Sequence, residues 1–226
     1  AMAMATEAAR LRLFQLVSPA LPVGAFSYSE GLEVLVQRGA LADAAAVQAW
    51  LRAELQRGAV AVETAALAPL RLALEAGDLA ATAGLDGWLL AQREAPELRA
   101  QQRQMGQSLL QLLADLGWPL PPALAAATLA WPAAFAWAAH SLALDSPAIE
   151  EAYLYGWVAN QLSAAVRLVP LGPTQAQRLQ LQLAEPIAER AVALAGADPQ
   201  QLWSGGVGAG LAQLQHAELY SRLFRS

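Results

Sequence analysis

Glu30 and Glu33 stand three residues apart, a spacing that puts two carboxylates on one helix face, where they could bind a divalent cation. The plainer reading is a pair of charges facing the dipole at a helix start, and Glu150-Glu151 behind Ser146-Pro147 reads the same way. The pair closes a dense segment, Ser18-Pro-Ala-Leu-Pro22-Val-Gly24-Ala-Phe26-Ser27-Tyr28-Ser29-Glu30-Gly31-Leu32-Glu33. Pro19, Pro22 and Gly24 predict a rigid turn, and Phe26, Ser27, Tyr28, Ser29 and Glu30 then present aromatic and polar groups at a helix start. A helix that only fills a core needs none of this. The alternative is an elaborate capping turn in which the Ser27 or Ser29 hydroxyl closes backbone donors.

The second unusual stretch is Tyr220-Ser-Arg222-Leu-Phe224-Arg225-Ser226, beyond the glycine-rich run Ser204-Gly-Gly-Val-Gly-Ala-Gly210. Disordered tails are usually polar, whereas aromatic and arginine anchors are the residue types that dominate interfaces. A glycine-rich linker of about 7 residues spans roughly 15 Å. The chain therefore divides into a body, 1–203, and a hinge with partner-binding tail, 204–226, expected to be mobile until a partner orders it.

Other chemistry is scarce. All 14 basic residues are arginine, no cysteine occurs, and the two histidines are His140 and His216. Without lysine there is no Schiff base or P-loop, and without cysteine no thiol nucleophile, disulfide, thiolate zinc site or iron–sulfur cluster. No Gly-x-Ser-x-Gly elbow is present. His140, among Trp137, Ala138 and Leu142, reads as a hydrogen-bonded core residue, and His216 as a solvated tail residue within reach of a partner or metal. No cofactor or metal is expected. A net charge of −5 over 226 residues disfavours nonspecific binding to nucleic acid or anionic membrane. Seven tryptophans could stack bases, but Trp50, Trp88, Trp131, Trp137 and Trp157 sit in helical windows that must bury something. The missing cysteine, and a start through Arg12 without an apolar run, imply a cytoplasmic protein.

Positioning these residues falls to helices. Alanine, leucine, glutamine, glutamate and arginine fill most windows and no period-two alternation is sustained. The pattern predicts an all-α single bundle of about eight to ten helices. The first runs over 8–17 with Leu11, Leu13, Phe14, Leu16 and Val17 on a buried face. Asp43 caps the next, and others cover 60–75, 79–92 and 96–115. Leu116–Leu144 carries no Asp, Glu, Arg or Lys and matches a bilayer core of about 30 Å in length. Its prolines split it, so two short buried helices are expected instead of a span. Ser146-Pro147 opens the next helix, and Thr174 with Gln177 suggests a capping box for one reaching 195, which Pro186 either kinks or restarts.

The motif segment, the run Ala165-Val166-Arg167-Leu168-Val169-Pro170-Leu171-Gly172, the Arg93-Glu94 pair and the closing Tyr-Ser-Arg-Leu-Phe-Arg-Ser together closely resemble the UreF family of urease accessory proteins, from Leu11 to Ser226. The resemblance implies an all-α, commonly dimeric, non-enzymatic protein. Its partners would be UreD (UreH in some species), the nickel-carrying GTPase UreG, and apo-urease, which receives the nickel. By position it implies partner-binding roles for Tyr28, Ser29, Glu30, Arg167, Tyr220, Arg222 and Phe224, with Pro22, Gly24 and Gly31 shaping the motif. Arg222 or Arg167 would be the candidate for a charge offered toward nucleotide. Family tails often read His-Glu before Tyr-Ser, whereas Ala217 follows His216 here.

Two readings of different classes follow. One is an assembly factor that joins accessory partners. The other is a small all-α enzyme using the Ser27–Glu33 cluster on an apolar substrate.

Overall fold

The computed structural model describes residues 2–226, with side chains from Ala8 onward. Ala1 and the side chain of Glu7, part of the reading of the chain's start, lie outside the described residues. Among the described residues the fold is all-α. Eleven helices run in order: α1 (Met2–Leu16), α2 (Leu32–Gln37), α3 (Ala44–Arg57), α4 (Ala59–Glu75), α5 (Leu79–Ala91), α6 (Pro96–Asp115), α7 (Trp131–Ser141), α8 (Ala148–Leu168), α9 (Pro173–Gln182), α10 (Ala184–Ala195) and α11 (Val207–His216).

Local chemistry sets many of the boundaries. Asp43 and Asp78 each accept a backbone N–H three residues on, from Ala46 and Ala81 at 2.9 Å, and start α3 and α5. Pro96 and Pro173 occupy first-turn positions of α6 and α9, where a missing N–H costs nothing. Pro186 falls in the first turn of α10, so the expected long helix is two. Its start has no capping box: Gly172 precedes α9 and no side chain caps it.

At the centre, α4 packs against α7, α8, α3, α5 and α10. Leu67, Leu70 and Leu74 of α4 and Phe135 of α7 are buried, and Phe135 meets Tyr153 of α8 edge-on at 5.1 Å. The alanine-rich segment yields one buried helix, α7, and a short turn at Pro122–Leu124 in place of two helices. No helix among the described residues is long and apolar enough to cross a membrane. Of the five helical tryptophans, Trp137 is buried and Trp50, Trp88, Trp131 and Trp157 are half-buried, while Trp203 is exposed.

Three expectations are corrected. Of the five apolar positions expected on the buried face of the first helix, Leu16 is buried and Leu13 and Val17 pack half-buried against the core, while Leu11 and Phe14 face outward, because α8 covers one edge of that helix. His140 is a half-buried residue stacked on Trp137 at 5.0 Å, with Glu75 3.9 Å away, and is not enclosed in the core. The glycine-rich run is mostly helix: α11 starts at Val207 and buries Ala209, Gly210, Ala212, Gln213 and His216.

Helix α6 comes unusually close to the chain entering α7. A Cβ on Gly106 would lie 2.5 Å from the Leu129 carbonyl oxygen and 2.6 Å from the Ala130 carbonyl carbon. Backbone cannot yield as a flexible side chain does, so Gly106→Ala is expected to lower stability by about 1–3 kcal/mol, measured by urea denaturation.

Candidate functional site

The motif turn begins with Val23 buried and Gly24 left-handed at φ 74°, followed by a single helical turn at Ala25–Ser27. Tyr28 is extended, and then two successive residues adopt positive φ, Glu30 at 51° and Gly31 at 88°. For Glu30 this is a strained conformation, stabilised by what its side chain reaches. Its carboxylate accepts from Gln101 Nε2 of α6 at 2.9 Å and from Trp157 Nε1 of α8 at 3.0 Å. Gly31 has a second constraint: a Cβ there would meet the Gln213 backbone nitrogen at 3.0 Å, so only glycine lets α11 lie this close.

Onto this platform the chain folds its own tail. The main-chain oxygen of Ser226 accepts from Ser29 N at 2.7 Å, Glu30 N at 3.2 Å and Ser29 Oγ at 2.8 Å. The Ser29 hydroxyl thus donates to the tail and also accepts the Glu33 N–H at 3.5 Å, the backbone-closing role considered from sequence. Ser226 Oγ donates to Gln101 Oε1 at 2.5 Å, and Arg225 N donates to Ser27 O at 2.9 Å. Phe224 is buried beneath Arg167, whose guanidinium carbon lies 4.4 Å from the ring centre.

Glu33 is a second buried anchor. It is 3% exposed and its two oxygens accept from Leu223 N at 2.7 Å and Phe224 N at 3.1 Å, with His216 Nε2 at 3.3 Å. His216 is wholly buried, and its Nδ1 lies 3.0 Å from Glu97 Oε2, while Arg222 donates to Glu97 Oε1 at 2.8 Å. The solvated tail histidine expected from sequence is therefore corrected: α2 and α6 enclose it from both sides. In this structure the tail lies docked on the motif, and Phe224, His216 and the backbone of 223–226 all find partners within this chain.

The site residues read from sequence divide cleanly. Ser29, Glu30, Arg167, Arg222 and Phe224 meet around the docked tail, and Tyr28, buried, braces the turn by donating to Gln104 Oε1 at 3.0 Å. Pro22 and Gly24 shape the entry to the turn without touching the tail. Tyr220 joins nothing and is fully exposed. Sequence reasoning missed His216, Glu97, Gln101 and Ser226 as partners, and weighed Glu33 only as half of a cation pair. Among the described residues no group of three or more His, Cys, Asp or Glu could hold a metal ion. Glu30, with both oxygens filled and 8% exposed, and Ser29, fully buried, are closed to an apolar substrate, which removes the footing of the small-enzyme reading.

Beside the platform lies a cleft of about 380 Å³ between Glu54, Arg93, Glu94, Trp203 and α11. Burial, opposed in part by Arg93, pushes the Glu54 carboxyl up to about 7. Its folded-state value exceeds the unfolded one, so the stability it contributes is complete below about pH 4.5 and is lost as pH rises through about 7. Glu54→Gln is accordingly expected to raise the melting temperature at pH 8 and leave it unchanged at pH 4, as read by calorimetry.

A model of the UreF family matches residues 41–184. The chain belongs to the UreF family. Full-length relatives extend the match across the motif and the tail, both of which lie outside that span. The chain is 43% identical over 227 residues to the urease accessory protein UreF of Thermosynechococcus vestitus, covering 99% of this chain and 100% of that protein. It is 42% identical over 219 residues to that of Alkalilimnicola ehrlichii, covering 96% of each. It is 43% identical over 229 residues to that of Ralstonia pickettii, covering 98% of this chain and 100% of the relative. In this UreF chain the family's motif segment and terminal segment form one surface.

Proposed function

We propose that this chain is a non-enzymatic assembly factor of urease maturation in the cytoplasm. As a homodimer it binds UreD (UreH in some species) through its tail, and the joint surface recruits the GTPase UreG so that nickel reaches apo-urease. The observation that carries this reading is the outer face of the docked tail. Trp203, Val207, Leu211 and Leu214 are exposed along one side of α11 and the segment leading into it, and Tyr220 and Leu223 extend the apolar surface. Large exposed apolar patches on a polar rim mark protein interfaces. The buried side of the same segment is held by Glu33, Ser29 and Arg167, so the partner meets a surface ordered in advance and less ordering entropy is lost on binding.

Arg222 and Arg167 are committed to Glu97 and to Phe224 and the Phe26 carbonyl. Their role in this reading is to hold the surface. A charge offered to nucleotide would require one of them to leave its partner.

The test is capture of purified UreD. Val207→Asp with Leu211→Asp is expected to weaken capture at least tenfold while the helical circular-dichroism signal is kept, and UreG recruitment falls with it. Undiminished capture of both partners by that variant, or by a chain ending at Gly205, would sink the proposal.

A further inference from the structure

The cleft beside the platform is a surface of acceptors. Of its charged lining residues, Arg93 is buried and spends Nε and an NH2 group on Glu63. That leaves Glu54 of α3 and Glu94, just before α6. Among the described residues neither carboxylate is ion-paired or accepts a hydrogen bond; the main-chain oxygens of these two glutamates do, from Gly58 N at 2.7 Å and from Arg99 at 3.0 Å. Gln213 supplies a third acceptor. It lines the cleft at 8% exposure, and its Nε2 donates to Glu30 O, so Oε1 is left over.

Glycines make room for both carboxylates. A Cβ on Gly58 would overlap Glu54 Oε2, and one on Gly210 would overlap Glu94 Oε2. A Cβ on Gly206 would stand 3.6 Å from each Glu54 oxygen. Gly206 and Gly210 are one turn apart at the start of α11, so the two carboxylates flank that turn. On the rim the Trp203 indole is 90% exposed. Arg57 runs past Gly205 and Arg93 lies behind, yet burial still holds the Glu54 carboxyl up to about 7, the mark of a charge without a close cation.

We propose that this cleft is a socket for an arginine side chain of the protein that docks on α11, with the guanidinium held between Glu54 and Glu94 and its face against Trp203. A guanidinium is all donors in a flat fork, which matches walls made of acceptors, and its plane stacks on an indole. Lysine shares the charge but has no flat face. A divalent metal ion needs more oxygen ligands than Glu54, Glu94 and Gln213 supply, and an anion would face two carboxylates. Trp203 and Val207 belong both to the cleft and to the exposed apolar surface of α11, so a partner seated on that surface covers the mouth of the socket. The inference rests on the reading of α11 as a docking surface and adds the chemistry of what enters beside it.

The direct test is titration of the full chain at pH 8, where Glu54 is ionised, with N-acetylargininamide, following the Trp203 indole N–H by NMR. A saturable shift is expected, at least tenfold weaker with the citrulline analogue, which keeps the shape and lacks the charge. Glu54→Gln with Glu94→Gln should abolish it while the urea midpoint shows a folded chain. Gly210→Ala, whose methyl meets only the flexible Glu94 side chain, should fold and bind as poorly. The same double variant should capture purified UreD at least tenfold more weakly and lose most of the salt dependence of capture. No shift with the arginine probe, an equal shift with citrulline, or native binding by the double variant would each overturn the socket. If capture is native in the double variant but lost in Val207→Asp with Leu211→Asp, the socket falls and the docking surface stands. If the native chain captures no UreD, the docking reading falls and the titration alone decides the socket.

Discussion

Arg93→Met is expected to destabilise the protein by about 3–5 kcal/mol, the cost of leaving a buried charge without its partner. The Arg93 guanidinium and the Glu63 carboxylate are each 5% exposed and hydrogen-bonded to one another, Nε to Oε1 at 3.0 Å with a second, shorter bond from the NH2 group. Tyr153 completes the group by donating to Glu63 Oε2 at 2.9 Å. Burial raises the Glu63 carboxyl above its ordinary value, and the neighbouring Arg93 charge opposes that rise. In the variant burial still raises it, opposed only by the Tyr153 hydrogen bond. A raised folded-state value means stability is retained below the unfolded value and lost as pH climbs, so the Arg93→Met defect should deepen from pH 4 to pH 8. Glu63→Gln combined with Arg93→Met should recover most of the loss, since an amide can be buried with Tyr153 as partner. Urea titrations of the three variants at both pH values provide the check. If the single variant at pH 8 costs under 1 kcal/mol, the pair is not the buried brace described.

This brace reaches the tail site through the chain itself. The carbonyls of Arg93 and Glu94 both accept from the Arg99 guanidinium, the latter at 3.0 Å, and so tie down the turn from which α6 starts. Glu97 projects from the first turn of α6 toward His216. A buried pair deep in the bundle thereby positions a carboxylate that holds the docked tail.

How much of this was legible in the sequence depended on how local the cause was. Asp43, Asp78, Pro96 and Pro173 act within one turn of themselves, and the helices they begin were readable. The motif and the tail were each visible as residues a core helix does not need, but their union was not, because His216 meets Glu97 and Glu33 across 119 and 183 residues. The same distance explains α11. Gly208 and Gly210 each weaken a helix by about 1 kcal/mol relative to alanine, so the local reading favours a linker. Packing decides otherwise: Gly31 and Gly210 let α11 approach α2 and Glu94, and burial of Ala209, Ala212, Gln213 and His216 outweighs propensity. Glu63 was silent for the opposite reason, since a single glutamate in Val60–Leu67 gives no hint that its counterion lies 30 residues on.

Glu33→Ala is expected to free the tail altogether. Hydrogen bonds to a charged acceptor are worth about 1.5–3 kcal/mol each, and Glu33 accepts from Leu223 N, Phe224 N and the His216 ring. Removing it leaves two backbone donors and an imidazole without their acceptor. Residues 217–226 should then exchange at nearly unprotected rates at any pH, and trypsin should cut after Arg222 at least tenfold faster, while α4 and α8 keep native protection. Two comparisons separate this from a general weakening of the surface. Arg222→Ala removes only a half-exposed ion pair with Glu97, worth about 1 kcal/mol or less, and should leave most tail protection in place. Tyr220→Ala removes a side chain that contacts nothing in this chain and should change neither protection nor cleavage. If instead Arg222→Ala loosens the tail as much as Glu33→Ala does, surface charge holds the strap and the buried carboxylate does not. The ranking is therefore a direct measure of where the docking free energy lies, and it is obtained on the isolated chain before any partner is added.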